Sequence, residues 1–284
     1  MLFLVLSIIC SVTVGVIFKI TRNYNCNPAQ IITFNYVFAL LFCYFSFTPS
    51  LVEVTTNAPW NIYLAVGFLL PVVFLFLAIS IKHMGIVKTD AAQRLSLFIP
   101  ILAAWFIFKE EFNLYKLVGL VTGFFALLLI LRKPTQNEQN KWLYPAIVLC
   151  GFGLIDVLFK QIALYNALPY TTSLFVVFCI ALLVSTFVAV YMYFSKNVKF
   201  DSKNILFGAL VGLFNFGNIL FYLKAHKAFS ENPSTVFAGM NMGVIVLGTL
   251  VGLFFFREKL SKTNFIGVIL ALIAIFFIVF SQIR

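Results

Sequence analysis

The chain has 284 residues, a formal net charge of +11, 62% hydrophobic and 10% charged residues, and a mean hydropathy of +1.05. So apolar a chain cannot cover a water-facing surface, which excludes a soluble globular domain. Its 20 Lys and Arg are scattered over short connecting segments instead of one stripe, which excludes a nucleic-acid-binding face and leaves lipid headgroups as their partner.

Apolar stretches of about 20 residues, the length a helix needs to cross the hydrocarbon, predict ten transmembrane helices. They fall near residues 2–20, 29–47, 60–81, 89–108, 113–131, 142–160, 169–194, 204–223, 233–256 and 263–282. The runs 124–131 and 269–280 are continuously apolar, so alternating barrel strands do not fit and the fold is read as an all-α integral membrane protein. The first segment has neither a basic leader nor a small-x-small cleavage site and is read as a retained helix. Cys10, Cys43, Cys150 and Cys179 fall in helices and Cys26 in a loop, without a CxxC pair, so no disulfide framework and no metal site is expected. The polar stretch 132–141, with Pro134, reads as a linker between a first unit, 1–131, and a second, 142–284.

The two units share a signature. Phe108-Lys109-Glu110 is followed by Gly119, and Phe256-Arg257-Glu258 by Gly267, each glycine nine residues past the acid and the whole set offset by 148. Five helices per unit is an odd number, so the second unit starts on the opposite face and the architecture is two inverted five-helix repeats. Inverted repeats are the usual construction of secondary carriers, with substrate held where the halves meet.

The segments 94–131 and 241–280 resemble the paired halves of the EamA-type transporters of the drug/metabolite transporter superfamily, and the resemblance covers essentially the whole chain. It implies ten helices around a central cavity and carriage of small metabolites. Two departures stand out: the family's turn reads Gly-Glu-Arg or Gly-Glu-Lys where this chain has Lys109 and Arg257 in the glycine position, and Gly248 stands at the repeat equivalent of Pro100.

Polar residues within membrane helices normally face the bundle or a water-filled cavity, and here they concentrate on helices four, six, eight and nine. Gln93 and Asn241 are related by the repeat offset; they are read either as a pair of amides gripping substrate from both halves or as interhelical glue. Asp156 and Lys160, four apart on helix six, are read either as a self-neutralising pair or as a proton or substrate-amine site with Lys160 meeting a substrate carboxylate. Lys19 is read as reaching the headgroups. Asn215, Asn218 and Tyr222 are expected to form an amide-lined wall with Phe214 and Phe221 nearby. Asp90 and Arg94, beside Lys82, His83 and Lys88, read as a membrane-edge cluster, and His83 and His226 as solvated helix-end residues. Small-residue pairs such as Gly119/Gly123, Gly208/Gly212 and Gly239/Gly243 read as close helix packing, with helix nine a sliding surface as the alternative.

No HExxH, GxSxG or Walker motif is present, so neither an enzyme nor ATP-driven transport is expected, and no cofactor. The expected function is a multi-pass carrier in the cell membrane moving a small polar or amphipathic metabolite, amino-acid-like compounds among the candidates, by alternating access. A passive channel and a non-transporting scaffold are the alternatives; a second copy of the chain, as a homodimer, is among the expected partners. Of the 20 Lys and Arg, 14 flank the loops after helices one, three, five, seven and nine. That bias places both termini outside the cytoplasm, whereas the family resemblance implies cytoplasmic termini; the charge count is followed here.

Overall fold

A computed structural model describes residues 1–21, 24, 26–54, 58–131, 143–196, 199–255 and 262–281. The linker 132–141 and the second-unit turn Phe256-Arg257-Glu258 lie outside the described residues, as do the side chains of Lys82, Lys88 and Asp90.

Ten α-helices are present among the described residues: α1 Leu2–Thr21, α2 Pro28–Phe47, α3 Trp60–Leu95, α4 Phe98–Phe106, α5 Leu114–Leu131, α6 Leu143–Leu164, α7 Tyr170–Lys196, α8 Lys203–Ala228, α9 Pro233–Phe255 and α10 Lys262–Phe280. Seven segments are long and apolar enough to cross a membrane, and 92–106, 114–126 and 265–280 are shorter apolar helices. Local chemistry sets several boundaries. Asn27 caps α2 by accepting from the backbone N–H groups of Ala29 and Gln30, with Pro28 at the first helical position.

The 36 residues of α3 would extend about 54 Å if straight. They are not straight. The hydroxyls of Ser80 and Thr89 are 2.6 Å apart, although nine residues of straight helix would separate them by about 13 Å. The chain therefore reverses between them. The expected helices 60–81 and 89–108 survive as two limbs, but the loop between them does not, and the second limb steps through Ser96 and Leu97 into α4.

Helix ends can be sorted by contacts. At one end, the Tyr63 hydroxyl meets that of Ser173 at 2.7 Å, Cys43 Sγ reaches the Thr171 carbonyl, and Asn113 donates to the Ser281 carbonyl at 2.9 Å. Leu4 packs on Gly239 near the start of α9, so both ends of the chain lie on this side. At the opposite end, Gln30 accepts from Asn204 at 2.7 Å and donates to the Lys199 carbonyl at 2.9 Å, and His83 stacks on Tyr144 with centroids 5.1 Å apart.

Glycines set the closest helix approaches. A Cβ on Gly212 would lie 2.7 Å from the Asn35 carbonyl oxygen, so α8 and α2 touch backbone to backbone; Gly119 plays the same part between α5 and α10, whereas Gly239 and Gly243 of α9 receive the side chains of Leu4 and Ile8 from α1. These three pairs act as close packing. Gly248 differs, since a Cβ there meets nothing within 4 Å.

Candidate functional site

Asp156 sits two-thirds of the way along α6. It lies deep among protein atoms yet keeps part of its surface accessible. The Tyr222 hydroxyl from α8 donates to Asp156 Oδ1 at 2.9 Å, and Tyr222 is itself 5% exposed. Phe159 lies edge-on to the Tyr222 ring with centroids 6.3 Å apart. The result is a carboxylate oriented by a buried phenol, with an aromatic flank. Such a site can accept a proton or an organic cation.

Lys160 does not pair with Asp156. Its ammonium is fully buried and donates to the carbonyls of His226 at 3.2 Å, Phe229 at 3.3 Å and Ser230 at 2.7 Å. Four-residue spacing places two side chains on one helical face, but the carbonyls at the end of α8, left without intrahelical donors, compete for the ammonium and win. The expected pairing of Lys160 with Asp156 is corrected accordingly, and the ammonium expected to meet a substrate carboxylate is engaged by backbone carbonyls.

The expected solvated His226 is also corrected. Its ring is 0% exposed, wedged between Tyr222 and Phe237 with centroids 4.5 and 4.7 Å away, and neither ring nitrogen has a partner among the described residues. His83, by contrast, bonds the Ile79 carbonyl at a partly exposed position, as a helix-end residue does.

The amides divide. Asn215 donates to Asn35 Oδ1 of α2 at 3.0 Å and is 4% exposed, so it is occupied in a helix–helix seam. Asn218 accepts from the Ser7 hydroxyl of α1 at 2.8 Å while remaining half-buried. Asn241 donates back to the Phe237 carbonyl on its own helix at 3.0 Å and stays half-buried. Gln93 is half-buried on the returning limb of α3, where its carbonyl accepts from Ser96 Oγ at 2.6 Å. Asp156, Asn218, Asn241 and Gln93 thus keep accessible surface, whereas Asn215, Tyr222 and Lys160 are enclosed.

Sequence reasoning did not foresee the role of Glu110. Lys109 has φ 54°, the left-handed conformation that ends a helix, which accounts physically for glycine at this position in related turns. The chain then turns inward and buries Glu110, whose side chain is fully enclosed. Its carboxylate accepts from Lys116 Nζ at 2.6 Å, from the Ser234 N–H at 2.8 Å and from Ser234 Oγ at 2.6 Å, capping the first turn of α9 from the other half of the chain. Lys116 also donates to Asn232 Oδ1 at 2.9 Å. The repeated Lys/Arg-Glu turn was the available signal. No cluster of three or more His, Cys, Asp or Glu that could hold a metal occurs among the described residues.

Many apolar helices around a buried, accessible carboxylate define a multi-pass membrane protein of the transporter class. The pattern of the EamA-like transporter family matches residues 1–132. An uncharacterized protein of Haemophilus influenzae is 43% identical over 96% of this chain and 96% of its own. An S-adenosylmethionine uptake transporter of Rickettsia prowazekii is 26% identical over 68% of this chain and 63% of its own length, and one of Rickettsia felis is 25% identical over the same shares. A chain of known crystal structure superposes with a TM-score of 0.76 over 100% of this chain and 98% of that one, at 14% identity, a likeness of fold alone. The EamA-like pattern thus marks the first half of the chain, and together with these relatives it identifies a membrane transporter of the drug/metabolite transporter type. These relatives point to a transporter rather than an enzyme.

Proposed function

We propose that the chain is a secondary carrier built as two inverted five-helix halves, 1–131 and 142–284, joined by 132–141, and that it moves a small amphipathic metabolite bearing a positive charge by alternating access. The observation that carries this reading is Asp156: a carboxylate deep in the bundle, partly accessible, and held by Tyr222, with no lysine paired to it among the described residues. Leaving a charge there is costly, and the cost is offset when a substrate cation or a proton occupies the site. The duplicated turn at an offset of 148 and the sorting of helix ends support the inverted arrangement.

In this reading Asp156 binds the substrate cation or a coupling proton, Tyr222 orients it, and Gln93 and Asn241 supply amide contacts from equivalent places in the two halves. Asn218 lies on the same wall, and Asn215 supports it through α2. The Rickettsia relatives are named for S-adenosylmethionine, an amino acid with a sulfonium centre, which makes that compound the first substrate to test. Proteoliposomes preloaded with unlabelled S-adenosylmethionine should show a transient overshoot of external label, and Asp156→Asn should abolish it. Linear, unsaturable flux in the parent would indicate a channel. Absence of flux for this compound and for a library of amines and amino acids would leave a scaffold.

A further inference from the structure

Three buried charged side chains converge on the short connection between α8 and α9. Lys160 of α6 holds the carbonyls of His226, Phe229 and Ser230. Lys116 of α5 holds Asn232. Glu110, from the connection between α4 and α5, holds both the N–H and the hydroxyl of Ser234 and is ion-paired to Lys116. Buried ion pairs are poor sources of stability, because desolvation offsets most of the attraction. Two-state elements, however, are well served by contacts that must be made or broken together.

The geometry points to a gate: the α8–α9 connection closes the end of the bundle where the chain's ends lie, and Glu110, Lys116 and Lys160 are the positioning residues that latch it over Asp156. The inference rests on the carrier reading above. Its spatial basis is direct. His226, whose carbonyl Lys160 holds, is one helical turn from Tyr222, and Tyr222 bonds Asp156, so the latch and the site share α8. Glu110 and Lys116 belong to the first half, whereas α8, α9 and Lys160 belong to the second. Movement of one half against the other must therefore break the Glu110–Ser234 and Lys116–Asn232 contacts together. In the state described here they are all made, and this end is shut.

Thr235 is a reporter beneath the latch. It is 1% exposed in the first turn of α9, and its hydroxyl has no partner among the described residues, so Thr235→Cys removes no hydrogen bond. In a background free of the five native cysteines, Thr235→Cys should react slowly with a small membrane-impermeant methanethiosulfonate, assayed in vesicles of both orientations. Glu110→Gln keeps an oxygen to accept from Ser234 but removes the charge that binds Lys116. It should speed labelling by about tenfold or more, the response expected when a minor open state gains population. Lys116→Gln is the second variant and should act in the same direction, protecting the test against misfolding of either one. Two outcomes would overturn the gate: a lower unfolding temperature with Thr235→Cys still unreactive, which marks a static brace, or no change in labelling in either variant. The readout needs no substrate, so it stands or falls separately from the counterflow experiment.

Discussion

Two glycine-to-alanine substitutions isolate the contribution of close helix approach. At Gly212 of α8, an added Cβ would lie 2.7 Å from the Asn35 carbonyl oxygen and 2.8 Å from Phe38 Cβ, both fixed to the backbone of α2. Neither neighbour can swing away, so the helices must separate locally, an overpacking cost of about 1–3 kcal/mol. The same shift strains the Asn35–Asn215 bond, one turn along α8. At Gly248 of α9 the added methyl meets nothing within 4 Å. Both substitutions gain about 1 kcal/mol in helix propensity, so this term cancels in the comparison. Gly248→Ala should equal or exceed the parent in stability, and Gly212→Ala should fall below Gly248→Ala by about 1–3 kcal/mol. Reversible unfolding in mixed micelles, titrated with a denaturing detergent, measures the difference. A gap smaller than about 0.5 kcal/mol, well under the overpacking range, would refute the idea that backbone contact at Gly212 sets the α2–α8 seam.

Lys109→Gly removes a left-handed strain of about 1–2 kcal/mol and restores up to about 1 kcal/mol of unfolded-state freedom, so its stability should match or slightly exceed the parent in the same assay; a clear loss would show that φ 54° is not strained here. Gln93→Ala and Asn241→Ala should each lower counterflow of S-adenosylmethionine while leaving membrane abundance unchanged, and undiminished counterflow in the double variant would reduce both amides to packing. A single cysteine at Gln136 should resist a membrane-impermeant maleimide in intact cells if the positive-charge bias sets orientation; rapid labelling would place the linker outside and both chain ends in the cytoplasm.

The apolar segments were legible because membrane-crossing length and continuous hydrophobicity act on each helix separately. Even the reversal after Ser80 was visible as two segments, although its helical backbone was not, since a charged stretch such as 82–90 reads equally as loop or as helix. The site was legible in part. Asp156 and Tyr222 could be named as polar residues on helices six and eight, but their partnership depends on how α6 meets α8, which local spacing does not encode. Lys160 was misread because periodicity reports what can be near and not which acceptor wins. His226 was misread because a neighbouring lysine suggested a wet helix end, whereas Tyr222 and Phe237 enclose it. Asn35 and Ser7 went unnoticed because their partners are 180 and 211 residues away.

The capping of α9 by Glu110 also bears on how the chain is made. Glu110 and Ser234 are 124 residues apart, and at synthesis rates of about 5–20 residues per second the acid emerges roughly 6–25 seconds before its partner. Throughout that interval five helices must wait in the membrane with the glutamate paired to Lys116 but lacking its α9 partner. A carboxylate at a helix end can spend the delay hydrated at the bilayer surface, where one at mid-helix could not. Position in the turn thus suits Glu110 to the order of biosynthesis as well as to the finished fold: assembly of the first half stays unfinished until the ninth helix arrives, and the last contact made draws the acid out of water.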